Sequence, residues 1–498
     1  MGKKYFAILI SLLLIFTGLY AFKADNSDEQ SRKKALKKAL AEFSADESLK
    51  NTSWGFYAID TRTGKTIAEH NPDLALIPAS TQKVVTTLTA LSLLGSDYRF
   101  ETLIQYDGKI EKNVLNGNLY IKGTGDPMLG AKMVADSLSV DTLFHQWLSE
   151  IKASGIGAIK GNIIADGSWF DDHMIPPKWM WEDMGNYFGA GAHALTIHEN
   201  LYSVFFQPAN RIGAPADVAK TDPVIPGMTF HNDVTTGPRG SGDRVYIYGS
   251  PYSNERWLTG TVPLGESNFE VKGSLPDPGH FIAASFANFL EQNQIKLTGN
   301  VFTHRNAPAD VTGKSRVVIS RIQSPRLADI AARTNFNSVN TYAENLIKTL
   351  GKTINDEGSY AAGAKVITEF WKEKGLDTQG LRIHDGSGLS PYNNVTVRQL
   401  TQMLLFAAQD DALYNSLVKG FPVAGQSGSL ARMFSGTSSV GVLVAKSGFL
   451  GNVRAYTGYT RSQDDHLIAF TIIVNNYSGT PLEMRRKMER VMDAMTGL

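Results

Sequence analysis

The segment Ile77–Lys83 (IPASTQK) contains Ser80, the first residue of the stretch Ser80–Leu94. Apolar residues recur along this stretch, and Gly95 follows it. A serine at the start of such a stretch and a glycine after it are typical of helix boundaries, so the pattern predicts a helix over Ser80–Leu94. Three positions separate Ser80 from Lys83, and residues with this spacing lie on one face of a helix. The same face continues as an apolar stripe, which indicates that Lys83 is partly withdrawn from water.

The pair formed by Ser80 and Lys83 has the chemistry of an activated nucleophile. A serine hydroxyl needs a base within hydrogen-bond reach before it can attack a substrate. Withdrawal from water disfavours a lysine ammonium, so the pKa of the amine falls. Half of the amine is neutral near pH 7.4 if its pKa drops by about 3 from the usual value, and we expect burial beside a second cation to lower it that far. Other S-x-x-K pairs, which we interpret as solvated surface, occur at Ser31/Lys34, Ser149/Lys152 and Ser416/Lys419.

Two further short motifs follow along the chain. Ser338-Val339-Asn340 stands at the start of a predicted helix, and Lys446-Ser447-Gly448 ends the apolar run GVLVA. Taken alone, the first is explained equally well as a helix cap and the second as a strand that ends in a polar turn. A cation followed by a hydroxyl and a glycine also suits the binding of a carboxylate close to the backbone. Together with S-x-x-K, the motifs have the order known from serine β-lactamases and penicillin-binding proteins.

The distribution of strand and helix patterns predicts an α+β fold. Trp54–Asp60 reads as a strand that returns over Lys65–Glu69, and three more strands are expected near the end of the chain. We therefore predict one antiparallel sheet shared by both ends, with helices on both faces and a strand-rich insertion between about residues 100 and 300. The late strands are predicted at Gly441–Ser447, Val453–Tyr459 and Leu467–Asn475, and helices at Asn340–Leu350, Tyr360–Lys374, Val397–Ala408 and from Pro481.

Composition excludes several classes of function. The chain has 49 lysine and arginine residues and 48 aspartate and glutamate residues, so its net charge is close to zero. No excess of positive charge is available to attract nucleic acid, and no nucleic-acid partner is predicted. Cysteine is absent, which removes disulfides, thiol nucleophiles and thiolate metal sites. The ten histidines form no H-E-x-x-H motif, and we interpret His193 and His198 as structural. We predict neither a metal nor a cofactor.

The first residues have the pattern of an export signal. Lys3 and Lys4 precede a short apolar run, Tyr5–Tyr20, and the small residue Ala21 follows. The run is shorter than the roughly 20 apolar residues of a spanning helix. We therefore interpret residues 1–22 as a secretory signal, with an uncleaved membrane anchor as the alternative. In both cases the chain is expected to act outside the cytoplasm, in the periplasm or an equivalent compartment, with peripheral or anchored membrane association as an option.

Longer stretches spread over the chain resemble the low-molecular-mass class C penicillin-binding proteins, the penicillin-binding protein 4 type. The stretches are IPASTQK (Ile77–Lys83), GTGDPML (Gly123–Leu129), WMWEDMGN (Trp179–Asn186), SVNTYAENL (Ser338–Leu346), DGSGLS (Asp385–Ser390), FPVAG (Phe421–Gly425) and AKSGFLGNVRAYTG (Ala445–Gly458). The resemblance implies a β-lactamase/transpeptidase-like domain over 30–98 and 312–498. It also implies two inserted domains, one over 99–198 and 279–311 and the other over 199–278.

The resemblance implies a D-alanyl-D-alanine carboxypeptidase and endopeptidase that acts on peptidoglycan stem peptides and is covalently inhibited by β-lactam antibiotics. Ser80 would attack the carbonyl between two terminal D-alanines, and Lys83 would take its proton. Ser338 and Lys446 would relay a proton to the leaving amine, and Asn340 would hold the substrate amide. A β-lactamase or esterase on the same scaffold, and a wall-binding protein with a decayed site, are the competing hypotheses.

One motif departs from the family pattern. Members of the family usually have K-T-G followed by a second hydroxyl residue, whereas this chain has Ser447, Gly448 and then Phe449. By resemblance, Ser447 keeps one hydroxyl for the substrate carboxylate, and the backbone N–H groups of Ser80 and Phe449 form the oxyanion hole. We predict an altered carboxylate preference that leans toward cross-linked substrate. Pro391 is a lesser departure, since the family often has arginine there.

The resemblance also implies a subsite for the amino-bearing side chain of the stem peptide. It is assigned to Asp183 with Trp179 and Phe188, and Glu182 could take the place of Asp183. The alternative is that Trp179 and Trp181 are core residues. The glycine-rich stretch Asp385–Ser390 is interpreted as a turn that frames the cleft, and no chemical role is assigned to it.

Overall fold

The computed structural model describes residues 34–131, 138–309, 314–496 and 498. The predicted signal or anchor segment, 1–22, lies outside these residues. The described chain divides into two compact units, of which the first comprises 34–78, 395–410, 421–496 and 498, and the second comprises the described residues within 79–394 and 411–420. Within the described residues no helix is long and apolar enough to cross a membrane.

The helices agree with the sequence pattern where that pattern was strongest. Each of the helices predicted near residues 340, 360, 397 and 481 is present, and so is an opening helix that buries Leu36 and Phe43. The bounds are α1 (34–44), α2 (Gln82–Leu94), α3 (Val140–Ala153), α4 (Pro278–Gln292), α5 (Leu327–Phe336), α6 (Asn340–Asn355), α7 (Tyr360–Glu373), α8 (Val397–Ala408), α9 (Asp411–Val418) and α10 (Pro481–Thr496).

The strands fall at both ends of the chain and throughout its middle, as predicted. Their bounds are β1 (Ser53–Asp60), β2 (Thr66–His70), β3 (Glu101–Tyr106), β4 (Lys109–Glu111), β5 (Val114–Asn116), β6 (Leu119–Gly123), β7 (Ala158–Ile159), β8 (Ile163–Asp166), β9 (Leu201–Gln207), β10 (Asp217–Asp222), β11 (Thr229–Asn232), β12 (Thr235–Gly237), β13 (Arg244–Tyr248), β14 (Glu255–Pro263), β15 (Phe269–Ser274), β16 (Lys296–Leu297), β17 (Val301–Thr303), β18 (Val317–Gln323), β19 (Val444–Leu450), β20 (Val453–Arg461) and β21 (Leu467–Asn475).

The first unit is built on one antiparallel sheet with the strand order β19–β20–β21–β1–β2. The late strand β21 pairs along the whole of the early strand β1, from Ser53 opposite Asn475 to Asp60 opposite Ile468. Because neighbouring strands in the sheet come from opposite ends of the chain, the ends must meet before the sheet is complete. The prediction of a sheet shared by both ends is confirmed.

Helices cover both faces of this sheet, and the alternation of β1 shows how. Trp54 and Phe56 belong to a buried cluster that also contains the methionines of α10, such as Met488. Tyr57 lies on the opposite face, which α8 covers. The hydroxyl of Thr401 in α8 donates a hydrogen bond to the backbone carbonyl of Tyr57. A strand covered on both sides is apolar at nearly every position, which is why β1 reads as a continuous apolar run. The predicted α+β fold class is confirmed.

Helix α2 lies at the centre of the helical part of the second unit. It packs against α5, α6, α7 and α9, and every residue from Gln82 to Leu91 is buried. The helix ends at Gly95, whose positive φ of 84° is unfavourable for other residues and whose N–H group bonds to the carbonyl of Leu91. The polar residue Lys83 is thus enclosed together with the apolar side of its helix.

The second unit also contains four sheets. Strands β9–β15 form two of them, and the other two have the orders β16–β7–β5–β4 and β17–β8–β6–β3–β18. The strand-rich middle is therefore present, although α3 and α4 within it were not predicted. Strand β18, which follows residue 312, pairs with β3. The domain boundaries stay predictions.

Candidate active site

Ser80 lies in a short 3-10 turn, Ala79–Thr81, directly before α2. The helix therefore begins two residues later than the sequence predicts, and Ala79 adopts a positive φ of 46°. Lys83 stands in the first turn of α2, and its Nζ atom is 3.0 Å from the Oγ atom of Ser80. The structure thus brings the predicted nucleophile and base into direct hydrogen-bond contact.

Lys83 is enclosed by three acceptors. Its Nζ atom donates to Ser80 Oγ, to Asn340 Oδ1 at 2.6 Å and to the carbonyl oxygen of Ser387 at 2.8 Å. Burial lowers the pKa of Lys83 to about 7, and the negative charges of Glu344 and Asp385 oppose this change. Burial is thus the main cause of the lowered pKa, and a contribution from a second cation stays a prediction. An amine in this state exchanges its proton near neutral pH.

Asn340 opens α6 and is engaged at both ends of its amide. Its Oδ1 atom accepts from Lys83, and its Nδ2 atom donates to the carbonyl of Phe188 at 2.7 Å. The N-cap position of α6 is Val339, whose side chain makes no capping bond. The amide of Asn340 is therefore directed at Lys83 and not at the helix end. Ser338 lies in the connection between α5 and α6 with a left-handed φ of 57°.

Two buried carboxylates that the sequence analysis did not single out hold the stretch Asp385–Ser390. The two oxygens of Glu344 accept the N–H groups of Gly386 and Ser387, each at 2.9 Å. Asp385 accepts the N–H groups of Gly388 and Ser390. No chemistry was assigned to this stretch from the sequence, but its Ser387 carbonyl bonds directly to Lys83. The signal was present in the four-residue spacing of Asn340 and Glu344, which puts them on one helix face.

Glycine is required at two positions of this stretch. A Cβ atom on Gly388 would lie 1.9 Å from the carbonyl oxygen of Ala79, and the φ of Gly388 is 83°. A Cβ atom on Gly386 would lie 2.2 Å from the carbonyl oxygen of Ala343. The backbone therefore passes directly against the residue that precedes Ser80 and against α6, which no larger residue would permit.

The predicted side-chain subsite falls in the same unit. Trp179 is buried, and its indole N–H donates to Asp385 Oδ2 at 2.8 Å, whereas Trp181 is 52% exposed. Burial, together with the charge of Glu182, raises the pKa of Asp183 to about 6. Phe188 is connected to the Ser80 site through its carbonyl, which receives the Asn340 amide.

A cavity of about 410 Å³ opens beside the Ser338–Asn340 motif. Tyr187 and Phe188 contribute aromatic surface to it, and the motif itself forms part of the wall. Other parts of the wall carry both signs of charge, from Asp243, Glu270, Lys272 and Arg333. Such a surface suits a peptide that carries amino and carboxylate groups.

The third motif lies in the first unit, within strand β19. This strand continues to Leu450, so the interpretation of Lys446–Gly448 as a polar turn is wrong. Lys446 is buried, and its Nζ atom donates to the carbonyl of Ser447 at 2.7 Å. The hydroxyl of Ser447 donates to Ser429 Oγ. Gly448 pairs with Ala455 on the neighbouring strand.

Phe449 presents its ring to solvent on the same strand. The side chain is 53% exposed, and the guanidinium carbon of Arg454 lies 4.7 Å from the ring centroid. A ring in this position contributes little to the core. Among the described residues no three carboxylate, histidine or cysteine side chains are grouped closely enough to hold a metal ion.

The geometry of the second unit defines a class of protein. A serine hydroxyl in contact with a buried lysine whose pKa is near 7 is the arrangement of enzymes that transfer acyl groups through a serine ester. The model of the D-Ala-D-Ala carboxypeptidase 3 (S13) family matches residues 36–496, and the chain belongs to this family. It is accordingly a serine-type carboxypeptidase of the penicillin-binding class, as the resemblance implied.

Relatives of known name agree with this assignment. The chain is 29% identical over 490 residues to a D-alanyl-D-alanine carboxypeptidase of Actinomadura sp. (strain R39), covering 96% of this chain and 88% of the relative. It is 25% identical over 444 residues to the D-alanyl-D-alanine carboxypeptidase DacB of Haemophilus influenzae, covering 87% of each. The crystal structure of penicillin binding protein 4 from H. influenzae has the same fold, with a TM-score of 0.77 at 23% identity over 91% of this chain and 97% of that one.

Proposed function

We propose that the chain cleaves D-alanyl-D-alanine bonds of peptidoglycan stem peptides and D-alanyl cross-links through an ester on Ser80. The observation that carries this proposal is the 3.0 Å contact between Ser80 Oγ and the Nζ atom of Lys83, an amine whose pKa is lowered to about 7 by burial. Near neutral pH a large share of this amine is unprotonated, which is the form that a general base requires.

The two other acceptors around Lys83 explain how the base is aimed. A protonated lysine has three N–H bonds, and here they serve Ser80, Asn340 and Ser387. A neutral lysine has two N–H bonds and one lone pair. If the N–H bonds stay on Asn340 and Ser387, the lone pair points at the hydroxyl of Ser80. The proton of that hydroxyl then has a short path to the amine.

The reaction then proceeds in two balanced steps. Ser80 Oγ bonds to the carbonyl carbon of the penultimate D-alanine while its proton moves to Lys83, and the peptide bond breaks as the leaving amine receives a proton. Water next hydrolyses the ester, which releases the shortened stem and restores the Ser80 hydroxyl. By family resemblance, Ser338 and Lys446 relay the proton to the leaving amine. The same resemblance places the carbonyl oxygen at the N–H groups of Ser80 and Phe449, each typically worth about 3–4 kcal/mol.

The leaving amine distinguishes the two activities. When it belongs to free D-alanine the reaction is that of a carboxypeptidase, and when it belongs to a second stem the reaction cleaves a cross-link. The cavity beside Ser338 favours the second reaction as an additional activity, because Lys272 offers a cation to a stem carboxylate while Asp243 and Glu270 offer carboxylates to amines. Arg333 in the same wall is paired with Glu199. Ser447 and Gly448 would bind the terminal carboxylate in the first reaction.

The donor stem would be recognised at Trp179, Asp183 and Phe188. A buried carboxylate near aromatic residues is suited to the amino group of a stem side chain, because the ion pair gains strength as water is excluded. Peptidoglycan is the substrate that follows from this chemistry, and β-lactams would acylate the same Ser80. The site of action would be outside the cytoplasm, after export or anchoring by residues 1–22.

Labelling with a fluorescent penicillin tests the proposal. The parent protein should carry the label on Ser80, while Ser80→Ala should remain unlabelled and Ser416→Ala, which alters another S-x-x-K pair, should label like the parent. Slow loss of the label distinguishes a peptidase from a β-lactamase, which would release it rapidly. A wall-binding protein with a decayed site would take up no label at all.

A further inference from the structure

Glu344 lies at the centre of the site without belonging to any of the three motifs. It is fully buried on α6, one helical turn after Asn340. Its two carboxylate oxygens accept the adjacent N–H groups of Gly386 and Ser387, each at 2.9 Å. Both oxygens are therefore used by backbone that is 42 and 43 positions away in the sequence.

The same short backbone segment contacts the base. The carbonyl of Ser387 accepts from Lys83 Nζ at 2.8 Å, while its N–H group is held by Glu344. A second acceptor of Lys83 is Asn340, which stands on the same helix as Glu344. Helix α6 thus controls two of the three contacts of the amine, one directly and the other through the Glu344 carboxylate.

We propose that Glu344 is a positioning residue for Lys83, which holds the Ser387 carbonyl against the amine and whose negative charge stabilises the protonated form of that amine. This inference rests on the proposed function in one respect, that Lys83 is the base for Ser80. Glutamine in this position would have a single acceptor oxygen, and its NH₂ group would face a backbone N–H group. An amide therefore cannot hold both Gly386 and Ser387.

The charges around Lys83 and Glu344 determine the direction in which the pKa of Lys83 changes when Glu344 is replaced. Glu344 and Asp385 both raise the pKa of Lys83 by their negative charge, against the larger effect of burial. Burial and the neighbouring Asp385 raise the pKa of Glu344 in turn, whereas its hydrogen bonds with Ser387 and Gly386 and the charge of Lys83 lower it. Because each of its two oxygens accepts a backbone N–H group, the ionised carboxylate is the form that this geometry holds. The groups of the second unit that face this cluster are Lys83 on α2, Asp385 before the glycine-rich stretch, Lys348 on α6 and Tyr360 on α7.

Removal of Glu344 should therefore produce two separate changes. The maximal acylation rate should fall because the Ser387 acceptor is displaced, and a displacement of about 1 Å can reduce a rate by about 100-fold. The pH at which the rate reaches half of its maximum should fall as well, because Lys83 loses one of two carboxylates that favour its ammonium form. A lesion that only loosens the fold would lower the maximal rate without moving this midpoint.

The experiment is the pH profile of acylation of Ser80 by a penicillin, followed on the full chain by mass spectrometry. For Glu344→Gln we expect a maximal rate reduced by about 10- to 100-fold and a midpoint lowered by about half a pH unit or more. Glu344→Asp keeps the charge but withdraws the oxygens, so its maximal rate should fall while its midpoint stays near that of the parent. Thr349→Val, on the same buried helix but away from Gly386 and Ser387, should match the parent in both.

The possible results are clearly separated. The inference is overturned if Glu344→Gln keeps the parent midpoint, or if both glutamate variants keep the parent rate. Should Glu344→Gln fail to fold, Glu344→Asp decides alone, since an unchanged maximal rate excludes positioning and a lowered rate at the parent midpoint supports it. A parent protein without any adduct on Ser80 would instead refute the proposed function, and the inference with it.

Discussion

The indole N–H group of Trp179 donates to Asp385 Oδ2 at 2.8 Å, across 206 positions of sequence. The same carboxylate receives the backbone N–H groups of Gly388 and Ser390 and the side-chain amide of Asn393. Trp179 is therefore one of four hydrogen-bond donors that stabilise the buried carboxylate of Asp385. The relationship attaches the predicted substrate-binding segment to the stretch whose Ser387 carbonyl contacts the base.

Trp179→Phe should destabilise the protein by about 2 kcal/mol, because a hydrogen bond to a buried charge is lost and the carboxylate is left partly unsatisfied. The free energy of unfolding in urea measures this effect. Trp181→Phe is the matched control, since Trp181 is 52% exposed and surface substitutions usually change stability by less than about 0.5 kcal/mol. Equal effects of the two substitutions would contradict the structural role of Trp179.

Much of the fold could be read from the sequence because its signals are local. The apolar run of β1 and the serine and glycine that bound the Ser80–Leu94 segment depend on neighbours within a few positions. Strand patterns at both ends of the chain predicted a shared sheet, but not that β1 pairs with β21. Helix α3 was missed although its apolar residues recur with helical spacing, because strand patterns on both sides dominated the interpretation of the middle segment.

The site was predictable only where side-chain type carries the chemistry. Ser80 and Lys83 are recognised by their spacing on one helix face. The Ser387 contact could not be predicted, because a backbone carbonyl is present in every residue and its position depends on packing over a separation of 304 positions. Glu344 and Asp385 were missed because a buried carboxylate that accepts backbone N–H groups looks like a surface residue in sequence, although the four-residue spacing from Asn340 places Glu344 on the same helix face.

Asp183 provides a test of the donor-stem subsite through pH. Burial and Glu182 raise its pKa to about 6, so the carboxylate is ionised above pH 6 and neutral below it. If it binds the amino group of the stem, KM should fall as the pH rises through about 6, as long as that amine stays protonated. Asp183→Asn should raise KM about 10-fold at pH 7, which corresponds to the loss of about 1.4 kcal/mol of binding, and should remove this pH dependence.

Glu182→Gln is the control for that measurement. Glu182 is exposed beside Asp183, and its removal takes away a neighbouring negative charge without removing the proposed ligand. The pKa of Asp183 should then fall, and the pH dependence of KM should move to lower pH while KM at pH 7 stays within about 2-fold of the parent, because the neighbouring like charge is gone. If Glu182→Gln instead abolishes the dependence, Glu182 is the amine ligand.

Phe449 is expected to control the preference between the two leaving groups. Phe449→Thr supplies the second hydroxyl of the usual family pattern, so release of terminal D-alanine should increase by about 3- to 10-fold relative to cross-link cleavage, as one added hydrogen bond of roughly 1 kcal/mol allows. Phe449→Leu removes the ring without adding a hydroxyl and should leave the ratio unchanged. Because the ring is 53% exposed, neither change should impair folding. Unchanged D-alanine release in the threonine variant would refute the idea.

The cavity beside Ser338 predicts a charge effect that is specific for cross-links. Lys272→Glu reverses one of the cations in its wall, and cleavage of a cross-linked dimer should fall by about 10-fold through KM, because a stem carboxylate then meets a like charge. Terminal D-alanine release from a single stem should stay within about 2-fold. Lys220→Glu, at an exposed lysine of β10 that stacks on Phe205, is the matched control. Equal losses in both reactions would show that the cavity does not bind the second stem.

Lys83 makes the most direct prediction about pH. Because burial lowers its pKa to about 7, the neutral base increases as the pH rises from 6 to 8, and acylation by penicillin should increase along this limb and then level off. Lys83→Arg keeps a cation that does not lose its proton in this range, so acylation should drop by about 1,000-fold or more at every pH, in line with the loss of a general base. Lys419→Arg, in another S-x-x-K pair of the second unit, should keep the full rate and profile. Residual acylation in Lys83→Arg with the parent pH dependence would assign the titration to another group and remove Lys83 from the role of base.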